Sequence, residues 1–410
     1  MPKKAITYDM KRILIGTVCF VLIALVSFFI LKRAAPEKVY IKTLKSNRFQ
    51  LIVNKRPYII RGVVYAPVPI GTNHSHDFWG DPLKPHLYDG KLMKAMGANT
   101  IRVYQPGNNP SNTKKLIKEL YRKFGIRTAI GHWFGFWDNP NYADPAFRES
   151  VKKDVLEMVR TYKDAEGILC WVLGNENNVS FFQGPGTINF WTTKEIEALG
   201  DPYLKRLERA KIYYSLVNEV AQLIHKIDRN HPVVLANKEL DDIEAAADMT
   251  PDMDILGCSL YRGKTFGSFF REVATKFKRP VLITEFGCDR YNAFLQKEDP
   301  DIQAEFIEAQ WKAIEENTFK GNSVGNSLGG FVFEWTDEWW KYNEDNTAGW
   351  GVHDTEASWS NVGYYFDIKA EANFNVNEEW WGICALEKRS QSLDERIPSK
   401  AYFVLKELWR

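Results

Sequence analysis

Residues 168–178 read ILCWVLGNENN. The first six are apolar with no alternation, the pattern of a strand buried on both faces, as in a parallel sheet covered by helices. The run breaks at Gly174 and then presents Glu176 between amides, with Asn175 before it and Asn177 and Asn178 after. A carboxylate projecting from the tip of such a strand predicts a site at that end of a sheet, provided a second functional group faces it.

Similar apolar runs recur on both sides. Strands are expected at 59–65, 100–104, 127–131, 168–173, 233–236, 255–260, 281–284 and 329–333, with amphipathic stretches such as NTKKLIKELYRKFG and DIQAEFIEAQWKAIEEN between them. Eight strands alternating with helices predict an α/β fold, a (β/α)8 TIM barrel, rather than an open sheet. Ahead of it, RFQLIVNKRPYIIRGVVYAP alternates around Asn54 and Lys55 and predicts a short β-hairpin. The rhythm is interrupted by two long loops, 177–204 and 336–395. One carries Phe181, Phe182, Phe190 and Trp191; the other carries Trp339, Trp340, Trp350, Tyr364, Trp380 and Trp381. Aromatic faces stack on pyranose rings, so both loops are expected to line a sugar cleft.

In a barrel the C-terminal strand ends share one mouth. Those ends carry Arg102, His132, Asn175, Glu176, Tyr261, Glu285 and Trp335. The partner that Glu176 requires is therefore Glu285, in VLITEFG, on a strand nearly across the barrel. Two carboxyl groups facing each other across a sugar-sized gap are the minimal apparatus for glycoside hydrolysis.

Composition narrows the alternatives. The chain has 410 residues, 45% hydrophobic, and a formal net charge of +2, so no basic field points to nucleic acid. Among five cysteines there is no CxxC pair, which leaves neither a zinc site nor a thioredoxin-type site, and Cys170 and Cys258 fall within strands as small core residues. His74, His76 and His86 lack ligand spacing. Glu334, Asp337 and Glu338, without a histidine among them, are expected to be solvated or hydrogen-bonded acids. No metal or other cofactor is expected.

Residues 13–31, ILIGTVCFVLIALVSFFIL, carry no charge over nineteen positions, long enough to span a bilayer. The expected organisation is a tail at 1–12, a transmembrane anchor at 13–31, a tether at 32–46 and the barrel domain at 47–410. That would make the protein single-pass, membrane-bound through 13–31, with the catalytic domain outside the cytoplasm.

The pair WVLGNEN and PVLITEFG resembles the signature of the clan A glycoside hydrolases, retaining enzymes with catalytic glutamates on barrel strands four and seven. The likeness extends over nearly all of 47–410. FQLIVNKRPYIIRGVVY resembles the lead-in to the barrel of family 2 β-glycosidases, and LMKAMGANTIRVY and GGFVFEWTDEWW are similar to fungal-type β-1,3-glucanosyltransferases. The resemblance implies Glu176 as acid/base and Glu285 as nucleophile. It implies Asn175 on the sugar 2-hydroxyl, Arg102 and Tyr261 holding the nucleophile, Trp335 as a platform under the sugar, and His132 on substrate. A guanidinium beside Glu285 favours the ionised form that a nucleophile needs. Glu176, facing that carboxylate with no cationic neighbour in sequence, is expected to hold its proton more tightly. The expected activity is retaining hydrolysis of β-glycosidic bonds in an oligo- or polysaccharide. Transglycosylation with the same pair is the alternative, and a non-catalytic glycan-binding role is a third reading.

Overall fold

The computed structural model describes residues 38–292, 295–341, 345–355 and 377–410. Eight parallel strands close into a barrel: β4 (Ile60–Val64), β5 (Thr100–Val103), β6 (Arg127–His132), β7 (Ile168–Leu173), β8 (Val233–Lys238), β9 (Ile255–Ser259), β10 (Val281–Phe286) and β13 (Ser327–Val332). Each pairs with the next in chain order, and β13 joins β10 to β4. Every residue of β7, β10 and β13 is buried, as strands covered on both faces require. One apolar cluster lies between strands and helices. A second fills the barrel interior, where Leu169, Val172, Val234, Ala236, Leu282 and Phe331 meet.

Four of the described helices begin where the chain supplies both a cap and a proline. Asn109, Asp144, Asp201 and Asp299 each accept a backbone N–H with the side chain, and each precedes a proline that opens a helix. The same signal at Asp201-Pro202 starts helix Pro202–Ile227 several residues before the apolar periodicity becomes clear.

A three-stranded antiparallel sheet precedes the barrel: β1 (Val39–Thr43), β2 (Phe49–Val53) and β3 (Arg56–Tyr58). The expected hairpin is β2–β3, turning at Asn54 and Lys55, both with positive φ. Val39–Thr43 is a strand where a tether was expected. Val39, Phe49, Leu51 and Val53 join the interior cluster, and Val39 N–H donates to the Asn230 carbonyl at 2.7 Å. Two further antiparallel pairs decorate the loops: β11 (Tyr291–Asn292) with β12 (Lys297–Glu298), and β14 (Cys384–Glu387) with β15 (Glu395–Pro398).

The membrane expectation is corrected. Among the described residues no helix is long and apolar enough to cross a membrane. The longest described helix, Pro202–Ile227, is amphipathic and carries Lys205, Arg206, Glu208 and Arg209. The segment assigned as a transmembrane anchor, 13–31, lies outside the described residues. The described residues thus supply no transmembrane helix, and neither a membrane partner nor a single-pass localisation is drawn from them.

Candidate active site

Three donors converge on one carboxylate at the C-terminal mouth of the barrel. Arg102, on β5, donates from Nη1 to Glu285 Oε1 at 2.7 Å. Tyr104, just past the same strand, donates its hydroxyl to Oε1 at 2.8 Å, and Tyr261, past β9, donates to Oε2 at 2.7 Å. Arg102 also donates from Nη2 to Asn175 Oδ1 at 2.7 Å, tying the nucleophile candidate to the loop after β7. Burial, then the Glu285 charge, pushes both tyrosine hydroxyls well above the usual phenol range. They stay protonated and keep donating.

Strand irregularity aims Glu285. On β10, Ile283 packs in the outer cluster, so strict alternation would send Glu285 outward too. The pairing with β9 shifts register between Ile283 and Glu285, which turns that carboxylate to the mouth while Phe286 stays in the outer cluster.

The amides of the opening sequence also acquire a function. Gly174 has φ +77°, and a Cβ there would lie 2.5 Å from Asn177 Oδ1. That oxygen accepts the Asn175 N–H at 2.7 Å, while Asn177 Nδ2 donates to the Trp133 carbonyl at 3.0 Å and the Tyr142 hydroxyl at 2.9 Å. Asn178 exchanges two 2.8 Å hydrogen bonds with the Lys238 backbone. Glu176, with φ +56°, stands on this braced turn, its N–H on the Ala236 carbonyl at 3.0 Å. Replacing Asn177 by Ala should cost about 2–3 kcal/mol of stability, since this one buried side chain makes three hydrogen bonds. A denaturant midpoint unchanged from the parent protein would remove the bracing role.

Glu176 is pushed up to about 7, first by burial and then by the Glu285 charge. The facing carboxylate is thus the second cause rather than the first. A cationic neighbour also exists, because Lys238 at the end of β8 pulls in the other direction. Desolvation and a like charge together hold a proton on this carboxyl near neutrality.

His132 ends β6 next to the Glu176 turn, its carbonyl accepting the Gly174 N–H at 2.8 Å. Its Nδ1 accepts the Phe134 N–H at 3.0 Å, which leaves the proton on Nε2, and burial lowers its pKa. Trp335 does not join the site. Its ring is 0% exposed and packs toward Tyr402, so it offers no face to a sugar. Phe333, two residues earlier, instead sets its ring edge-on to Tyr261 at 6.4 Å.

The loop aromatics divide between core and surface, with Phe182 exposed and Phe190, Trp339, Trp350 and Trp380 half-buried. Phe181, Trp191, Trp340 and Trp381 are buried, and Tyr364 lies outside the described residues. An exposed ring next to the nucleophile's tyrosine is Trp137, edge-on to Trp133, which stacks on Tyr104 at 5.0 Å. Tyr104 was legible in principle: it lies two residues after Arg102, on the same face of an extended segment. Glu334, Asp337 and Glu338, expected to be solvated or hydrogen-bonded acids, are all buried rather than solvated. Asp337 is held by Arg290 and by the Gly382 N–H at 3.0 Å.

No family model matches the chain. It is 23% identical over 318 residues to the 1,3-β-glucanosyltransferase gel2 of Aspergillus fumigatus, covering 73% of this chain and 57% of that protein. The chain thus spans a little over half the length of the curated relatives it matches. Among solved structures, a Bacteroides uniformis β-glucuronidase aligns with a TM-score of 0.58 at 17% identity, covering 91% of this chain and 37% of that one. A family 2 (GH2) β-galacturonidase from Eisenbergiella tayi aligns with a TM-score of 0.56 at 15% identity, covering 91% and 54%. What is shared with these structures is the fold, the barrel of β-glycosidases.

Proposed function

We propose that this chain is a glycoside hydrolase-like enzyme that cleaves β-glycosidic bonds with retention, Glu285 acting as nucleophile and Glu176 as acid/base. The observation that carries the reading is the asymmetry of the pair. Glu285 receives three hydrogen bonds from Arg102, Tyr104 and Tyr261, while Glu176 is pushed up to about 7. Environments that separate two carboxyl groups in this way assign one to attack and the other to proton donation.

In the first step Glu285 attacks the anomeric carbon and Glu176 gives its proton to the departing oxygen. The resulting ester carries no charge, so the repulsion that helps hold the proton on Glu176 disappears. Glu176 then takes a proton from water, which attacks the anomeric carbon and releases Glu285. Asn175, fixed by Arg102, is available to the sugar 2-hydroxyl.

A mechanism-based fluoroglycoside should label Glu285, located by peptide mapping, and NMR should show the first-formed product with the substrate's configuration. Inverted product would exclude the mechanism. The free-enzyme profile of kcat/KM should fall as pH rises through about 7, because Glu176 must enter protonated. In Glu176→Gln that alkaline limb should vanish, and a limb that persists would belong to another group.

A second reading replaces water by an acceptor sugar. The likeness to a glucanosyltransferase favours it, as does the aromatic run Tyr104, Trp133 and Trp137 at the mouth. Chain-lengthened products on adding β-glucan oligosaccharides would assign transfer, and only shortened products would assign hydrolysis. A purely glycan-binding role has no need of a protonated acid opposite a triply hydrogen-bonded carboxylate.

A further inference from the structure

A cavity of about 420 Å³ opens beside the loop that follows Glu176, with Phe182, Gln183, Phe190, Tyr203 and Arg206 on its walls. None of the groups that hold Glu285 lines it. The short 3-10 helix Asn177–Phe182 leads to it from the Glu176 turn, and its six residues at about 2 Å each put Phe182 roughly 12 Å along from the acid/base. Phe182 and Tyr203 are 50% and 56% exposed, and Arg206 lies over both rings, 4.8 and 5.2 Å from their centroids. One guanidinium thus holds two aromatic rings in place while leaving about half of each open.

The charges on these walls are already matched. Arg206 pairs with Asp242 at 3.1 Å, and Lys205 donates to Glu197 at 2.7 Å. Arg209 donates to the Phe181 and Gln183 carbonyls at 3.1 and 3.0 Å. An anion would have to break these contacts. What stays open is neutral: the Tyr203 hydroxyl and the Gln183 side-chain amide make no hydrogen bond among the described residues. Each can both donate and accept. Aromatic faces beside such groups suit a pyranose ring, which offers C–H faces and a rim of hydroxyls.

A run of rings joins the cavity to the cleavage point. Tyr104, which holds Glu285, stacks on Trp133 at 5.0 Å, and Trp137 stands edge-on to Trp133 at 6.4 Å. Trp137 keeps a φ of +75°, costly for so large a residue, because buried Asn189 accepts its N–H at 2.8 Å. The residue after Asn189 is Phe190, on the cavity wall.

We propose that this cavity is a distal binding site for the leaving-group portion of a neutral glycan chain, with Phe182 and Tyr203 as its platforms. This rests on the glycosidase reading above, in which Glu176 protonates the departing oxygen, so that the sugars carried by that oxygen leave on the side of its loop. A chain of several sugars is then preferred over a glycoside of one.

The test titrates the full chain carrying Glu285→Gln with neutral β-linked oligosaccharides of glucose, mannose and galactose in graded lengths, and with a carboxymethylated glucan. Affinity for at least one neutral series should rise about tenfold once the chain reaches the cavity, the scale of one aromatic anchor. Tyr203→Ala and Phe182→Ala should each abolish that rise, and Tyr203→Phe, which keeps the ring, should retain most of it. A merely structural role would weaken long and short chains together and leave their ratio unchanged. Affinity independent of length in every series, a rise that survives both alanine variants, or tighter binding of the carboxymethylated glucan would overturn the proposal. Failure of the glycosidase reading has a separate signature, since no fluoroglycoside would then label Glu285 in the parent protein. A labelled Glu285 with a flat length dependence sinks the distal site alone.

Discussion

Glu285→Ala is expected to lower glycosyl transfer on the order of 10⁴-fold or more for every substrate, because it removes the atom that forms the covalent intermediate. The alanine variant also leaves a buried guanidinium and two buried hydroxyls facing a void, since Arg102, Tyr104 and Tyr261 all donate to the lost carboxylate. Stripping a buried charge of its partner costs about 3–5 kcal/mol, so lost activity alone could reflect unfolding. Glu285→Gln separates the two effects. It keeps the volume and one acceptor oxygen, and it should melt nearer the parent protein while remaining just as inactive. A glutamine variant that keeps more than a few per cent of activity would remove Glu285 from the nucleophile's place.

Glu176→Ala should behave differently with different leaving groups. With a poor leaving group, the loss of the proton donor should cost about 10²–10⁴-fold. With an activated aryl glycoside the first step needs little acid help, so glycosyl-Glu285 should accumulate for want of a base. Azide needs no base. It should restore turnover of Glu176→Ala and give a β-glycosyl azide, whereas in Glu285→Ala it would attack from the opposite face and give the α product. If both variants respond to azide alike, the two roles have been assigned wrongly. The raised pKa of Glu176 has a bearing here too. Since burial is its largest cause, substitutions that open the turn, such as Asn177→Ala, should move the alkaline limb of the wild-type pH profile toward lower pH.

The barrel was legible because its strands are specified by local chemistry. Unbroken apolar runs such as 168–173 and 281–283 encode burial on two faces, and Asp-Pro and Asn-Pro steps encode helix starts. The meeting of Arg102, Asn175, Tyr261 and Glu285 followed from strand ends alone, since a closed parallel barrel gathers all of those ends at one mouth. Tyr104 obeyed the same rule and was missed only because its position was not paired with that of Arg102. The strand at Val39–Thr43 was hidden for a different reason. VYIKT is short and partly polar, and what stabilises it is pairing with β2 and contact with a barrel distant in sequence.

By itself, then, the sequence determined the barrel and the gathering of Arg102, Asn175, Tyr261 and Glu285 at its mouth, because strand periodicity and strand ends are properties of consecutive residues. Tertiary structure alone decided which way side chains face once the chain leaves a strand. Beyond β13, a single residue separates Phe333, edge-on to Tyr261, from Trp335, sealed against Tyr402. No periodicity continues past the last ladder hydrogen bond to tell them apart. Tertiary structure also decided the proton affinity of Glu176 and the burial of Glu334 and Glu338. Removal from water depends on what packs over a carboxyl from remote parts of the chain, and that is not a property of its neighbours in sequence.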